Sequence, residues 1–194
     1  MIHMTRELVW TGFITLDGVA DSPGGTEEGH PSGGWVLRHE FLPEMFSLKG
    51  EEIAETSALM FGRRSYEAFG AVWPGSEDHA AYRNIPKFVV STTIAEDDLV
   101  DGWGGTTVLR STEEVAAAKH GDGGAIFIHG SPELARRLAD AGLIDRYHLL
   151  MFPYLLGSGK RPFSDAERDA TALRLRESEM YANGVMKLIY DVPR

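Results

Sequence analysis

The chain has 194 residues, 43% hydrophobic and 25% charged, which suits one domain with a real core and excludes an intrinsically disordered segment. Its formal net charge of -10 argues against general nucleic-acid binding, which needs clustered Lys and Arg. Cysteine is absent, so disulfides and thiolate chemistry are excluded. No apolar run approaches the ~20 residues that span a bilayer, and residues Met1 to Trp10 lack a signal-peptide core, so a cytoplasmic location is the expectation.

Leu8 to Thr15 is rich in β-branched and aromatic residues and reads as a first strand ended by Asp17-Gly18. From Ala20 to Gly34 the composition is Gly, Pro, Ser and acid, which predicts a mobile loop. A helix is expected over Leu37 to Leu48, with Pro43 near its start or interrupting it and Gly50 ending it; Glu51 to Thr56 reads as helical again. Ser57 to Phe61 is a short apolar strand, and Gly62 turns the chain into a helix over Arg63 to Phe69. Lys87 to Ser91 and Thr106 to Leu109 read as strands, with helices expected at Asp78 to Asn84 and Thr112 to Lys119.

The segment from Ala125 to Phe152 is a βαβ unit. A buried strand (Ala125 to His129) meets a Gly130 turn, Ser131 is placed to N-cap a helix with Pro132 at its first position, Gly142 stops it, and Arg146 to Phe152 forms the next strand. Leu134, Ala135, Leu138 and Ala141 give that helix one apolar face. Unpaired first-turn amides beside a glycine suit a phosphate, although a strand-to-helix turn also needs a glycine and a cap for purely structural reasons. The last two runs, Ala172 to Tyr181 and Val185 to Val192, are joined through Asn183-Gly184, a hairpin signal. The whole predicts an α/β domain over residues 1–194 with a mixed, mostly parallel central sheet, flanking helices and a C-terminal antiparallel hairpin.

Several motifs in this order carry a resemblance: T-L-D-G at Thr15 to Gly18, L-M-F-G-R-R-S-Y-E at Leu59 to Glu67, K-F-V-V-S-T at Lys87 to Thr92, I-H-G-S-P-E-L at Ile128 to Leu134, and the run from Gly142 to Gly159. Together they resemble the dihydrofolate-reductase-like superfamily, in particular the branch containing the C-terminal reductase domain of bacterial riboflavin biosynthesis. The resemblance implies a three-layer dihydrofolate-reductase-like fold, NADPH as cofactor, a small-molecule substrate and a homodimer. It implies that Gly62, Arg63, Arg64 and Ser65 meet the cofactor phosphates, with a basic side chain at the 2'-phosphate. Ser91 and Thr92 then lie on the adenosine side, though turn capping is an equal reading. His129, Gly130, Ser131, Glu133 and Leu134 match the pyrophosphate turn, with His129 where glycine is usual. Thr15, Leu16 and Gly18 fall beside the nicotinamide with Asp17, the catalytic candidate, which an ordinary Asp-Gly turn would equally explain.

In dihydrofolate reductases proper, an acid on the first helix serves the pterin; here that position falls near Phe46, with Glu40 and Glu44 close by. Lys160 and Arg161 are candidates for meeting a phosphorylated substrate, or are surface charges. The seven histidines show no H-x-x-x-H or H-E-x-x-H spacing, so no metal site is expected. The functional expectation is an NADPH-dependent reductase of a small heterocycle, such as a pyrimidine like that of the riboflavin pathway. The alternative is a non-catalytic nucleotide-binding or interaction protein on the same fold.

Overall fold

A computed structural model describes residues 5–26, 29–164 and 170–194. Eight strands form one sheet: β1 (Leu8–Thr15), β2 (Thr56–Gly62), β3 (Lys87–Val90), β4 (Thr106–Leu109), β5 (Ala125–His129), β6 (Arg146–Phe152), β7 (Arg174–Met180) and β8 (Met186–Asp191). Their order is β4-β3-β2-β5-β1-β6-β8-β7. The first six pair in parallel, while β8 runs antiparallel to β6 and β7 antiparallel to β8. The expected mixed sheet with its C-terminal hairpin is thus what the chain forms.

Four helices flank it: α1 (Ser47–Glu55), α2 (Arg63–Gly70), α3 (Thr112–Lys119) and α4 (Pro132–Asp140). Helix α4 buries Leu134, Ala135 and Leu138, and α3 buries Val115, against Trp10, Met60, Ile126 and Ile128 on one face of the sheet. Each such aliphatic side chain contributes about 2 kcal/mol by leaving water. On the other face, Tyr66 of α2 packs with Phe61, Phe127 and Trp103, while Met45 and Leu48 pack with Leu150 and Phe152. The result is a helix-sheet-helix layering.

Three local expectations need correction. Gly50 does not end a helix: Pro43–Phe46 is a 3-10 turn, and α1 then runs through Gly50 to Glu55. Burial of Leu48 and Glu52 on the sheet outweighs the roughly 1 kcal/mol that a mid-helix glycine costs. Asp78 to Asn84 forms a 3-10 helix over Glu77–Tyr82 rather than an α-helix. The 20–34 loop has no helix or strand where described, yet it is packed rather than loose: Trp35 Nε1 donates to Asp21 O at 2.9 Å, and His30 Nε2 lies 3.0 Å from Ser158 O.

Candidate active site

Parallel pairing of β2 with β5 brings two strand-to-helix turns side by side at the C-terminal ends of the strands, where α/β sheets place ligands. The Gly62 amide donates to Ser131 Oγ at 2.9 Å, and the Ser131 amide donates to Ser65 Oγ at 3.0 Å. A Cβ on Gly62 would come within 3.7–3.8 Å of Ser131 and Leu134, so the turns are in van der Waals contact. Gly130 has φ 58° and a Cβ there would lie 3.2 Å from the Phe69 ring; only glycine fits without strain. Ser131 follows with φ 52°, a conformation rare for a side-chain-bearing residue, and does not cap α4 as expected. Its hydroxyl instead receives the amide of the neighbouring turn.

Consequently neither α2 nor α4 has a side-chain cap, whereas in α3 Ser111 Oγ accepts from the Glu114 amide. The first-turn amides of α2 and α4, at the positive ends of the two helix dipoles, thus have no side-chain cap. Arg64 is exposed and has no partner among the described residues. Arg63 is tethered: Nε meets Glu67 Oε1 at 2.6 Å, a carboxylate that raises its already high pKa, and Nη1 donates to Thr93 Oγ1 at 2.9 Å. Glu133 is exposed in the first turn of α4, and Leu134 is buried in the core.

The Ser91 hydroxyl accepts the amides of Thr93 and Ile94 at 3.2 and 3.1 Å, so it shapes the turn after β3, while Thr92 is exposed. At the end of β1, Thr15 Oγ1 donates to Asp17 Oδ1 at 2.6 Å. Asp17 also accepts from the amides of Leu156 (3.1 Å) and Gly157 (2.7 Å), fastening the Thr15–Gly18 turn to the 155–157 loop. Burial pushes the Asp17 carboxyl up, but these donors outweigh it and hold the pKa below the usual carboxylate range. Leu16 next to it is 61% exposed. Lys160 Nζ lies 3.6 Å from Asp21 Oδ1, and Arg161 donates to the carbonyls of Asp17 and Gly157. A depression of about 530 Å³ lined by Glu96, Asp97, Asp101, Gly104 and Thr106 opens where β4 begins, at the opposite end of the strands from the turns.

The sequence reading named His129 only at the pyrophosphate turn and missed the group of side chains to which it belongs. Thr11 stands between His129 on β5 and His148 on β6, so the three side chains form a row across the sheet. Helix α1 lowers Glu52 onto that row. Glu52 Oε1 accepts from Thr11 Oγ1 at 2.5 Å and from His148 Nδ1 at 3.0 Å, and Lys49 Nζ reaches Glu52 Oε2 at 3.1 Å and Thr11 Oγ1 at 2.5 Å. Burial raises the Glu52 pKa, but Lys49, His148 and Thr11 together more than reverse this, taking it to about 2. His129 is enclosed by Trp73 and Tyr82, its ring centroid 5.6 and 5.4 Å from theirs. Its pKa falls to about 3, first through burial and then through the Lys49 charge, so the ring is neutral. The Nε2 atoms of His129 and His148 are buried without a partner among the described residues. Only the i,i+3 spacing of Lys49 and Glu52 is visible locally; the rest depends on register.

Comparison with known proteins agrees with this architecture. The family model for the RibD C-terminal domain matches residues 6–187. The uncharacterized protein YyaP of Bacillus subtilis strain 168 is 24% identical over 192 residues, covering 95% of this chain and 94% of its own. Among solved structures, a protein assigned to riboflavin biosynthesis from Shewanella sp. PV-4 superposes with a TM-score of 0.70 at 18% identity, over 97% of this chain and 100% of that one. Dihydrofolate reductase from Enterococcus faecalis, complexed with NADP(H), gives 0.58 at 17% identity over 97% of each chain. The Thermotoga maritima diaminohydroxyphosphoribosylaminopyrimidine deaminase/5-amino-6-(5-phosphoribosylamino)uracil reductase gives 0.64 at 12% identity, over 97% of this chain and 57% of that longer one. The fold is therefore dihydrofolate-reductase-like, and with the family model spanning most of its length, the chain belongs to the RibD C-terminal domain family.

Proposed function

We propose that this protein is an NADPH-dependent reductase of a small heterocyclic substrate. The observation that carries the reading is the pair of adjacent helix N-termini, α2 and α4, whose first-turn amides have no side-chain cap. Gly130 allows a pyrophosphate to approach the backbone, and the Ser65 hydroxyl, already accepting from Ser131, keeps its own hydrogen for a phosphate oxygen. Arg64 is the side chain available for the 2'-phosphate; Arg63, held towards Thr93, borders the adenosine side near Ser91 and Thr92. NADPH, when bound, supplies the hydride. The protein supplies position and a dry, polar setting for the acceptor.

In this reading Asp17 holds the Thr15–Gly18 turn beside the nicotinamide rather than moving a proton, because its carboxylate already accepts from Thr15, Leu156 and Gly157. The buried polar row under α1 then faces the acceptor end of the cleft. A second copy of the chain is proposed to cover β7, every residue of which is exposed, including Leu175 and Met180. Sedimentation as a dimer at micromolar concentration is expected. No helix among the described residues is long and apolar enough to cross a membrane.

The test follows dihydronicotinamide absorbance with purified protein and a panel of pteridines, pyrimidines and quinones. Acceptor-dependent oxidation of NADPH is the expected result. Persistent NADPH binding with no oxidation by any acceptor would instead support a nucleotide-binding protein without turnover.

A further inference from the structure

We infer that Lys49 is the residue that takes the acceptor, and that the acceptor is an uncharged planar ring presenting a carbonyl oxygen, without a phosphate. This rests on the reductase reading for its location, and on the buried row for its chemistry. Lys49 is the one member of that row whose side chain reaches solvent: it is 21% exposed, against 0% for Glu52 and 5% for His148. Two of its three ammonium hydrogens go to Thr11 and Glu52, and the third has no acceptor among the described residues. The ammonium lies 5.6 Å from the centroid of the half-buried Phe13 ring, which itself meets Phe46 edge-on at 6.0 Å. Phe46 is stacked in turn on Phe41, which is 66% exposed. The solvent-reaching end of Lys49 is thus followed by a run of three rings that suits a flat ligand.

Charge decides the rest. The Lys49 charge is balanced by the Glu52 carboxylate it is paired with, so Lys49 offers a directed donor rather than a free cation. An uncharged carbonyl gains from such a donor; an anion gains little and meets the Glu52 carboxylate behind it. The basic side chains of the adjoining loops are tied back to the protein. Lys160 faces Asp21, Arg161 donates to two backbone carbonyls, and Arg38 donates to Ser32 O at 2.8 Å. Glu52, Thr11 and His148 are positioning residues, which fix Lys49 rather than touch the ligand.

Calorimetric titration with uracil, menadione and uridine monophosphate, each with and without saturating NADPH, tests this. The expected result is binding of uracil or menadione, uridine monophosphate no tighter than uracil, and at least a tenfold loss of ring binding in Lys49→Met/Glu52→Gln. That double variant keeps the buried row free of an unpaired charge, and Lys49→Arg should recover part of the loss. Unchanged NADPH binding by both variants shows that they fold. Overturning results are an unaffected double variant, tenfold tighter binding of the phosphorylated ring than of uracil, or no binding of either uncharged ring. Absence of NADPH binding alongside Lys49-dependent ring binding would sink the cofactor reading and leave Lys49 standing.

Discussion

The paired turns, which follow β2 and β5, and the buried polar row, which stands on β5, β1 and β6, share strand β5, yet they are built from opposite materials. The turns are made of backbone: glycine geometry, uncapped helix amides and one serine that bridges Ser65 and Gly62. The row is made of side chains, charged and buried, with Glu52 completely enclosed. A backbone site tolerates many side-chain changes around it and needs a few glycines. A buried ionic site tolerates almost none, because each partner removed leaves a charge or an orphaned donor behind.

The sharpest way to break the contrast is Glu52→Ala, which strands Lys49 and leaves the His148 and Thr11 donors unpaired. A loss of about 3 kcal/mol is expected in urea unfolding, at the low end for a buried pair because Lys49 retains some solvent. A loss below about 1 kcal/mol would show that the row is dispensable to the fold.

Acid should act on the row and spare the turns, with the sign set by two depressed pKa values. His129 is neutral when folded, with its pKa lowered from 6.5 to about 3, so the unfolded chain binds the extra proton and stability is lost as pH falls below 6.5 towards 3. Glu52 is lowered from 4.5 to about 2, so its contribution is intact above 4.5 and is lost only as pH falls from there towards 2. Between pH 6.5 and 4.5 a decline of about 2–3 kcal/mol is therefore expected from His129, and His79, whose pKa burial also lowers, adds in the same direction. The decline should flatten in His129→Phe when thermal unfolding is followed across that range.

In the turns the expected effects are smaller. Gly130→Ala forces a side chain into φ 58° against Phe69 and should cost about 1–2 kcal/mol while weakening NADPH. Ser131→Gly relieves a φ of 52° but removes the acceptor for the Gly62 amide; the two terms oppose, each about 1 kcal/mol, leaving stability nearly unchanged. A marked change in either direction would mean that strain or hydrogen bond has been misjudged.

These two regions also differ in what their residues disclose before folding. Gly62 and Gly130 announce their turns because a glycine between an apolar strand and a helix start has few other uses, and the βαβ pattern around Ser131 needs only local spacing. The bridging role of Ser131 was not legible, since it depends on β2 lying beside β5. Nor was the row. Thr11, His129 and His148 are far apart in sequence and meet only through parallel register. Glu52 fell in a helical segment, Glu51 to Thr56, that local propensity separates from Lys49 by a stop at Gly50, so the single helix α1 that joins them was not legible. Asp17 was conspicuous for its Asp-Gly turn, and its geometry accounts for it as the clasp between two loops.

The central claim, a cofactor cleft formed by the two uncapped turns, is tested most directly by titrating the protein and Arg64→Ala with NADPH and NADH. The account predicts that the parent protein binds NADPH about tenfold or more tighter than NADH, and that Arg64→Ala removes most of that preference while leaving NADH affinity nearly unchanged. Equal losses for both nucleotides, or no binding of either by the parent protein, would contradict it.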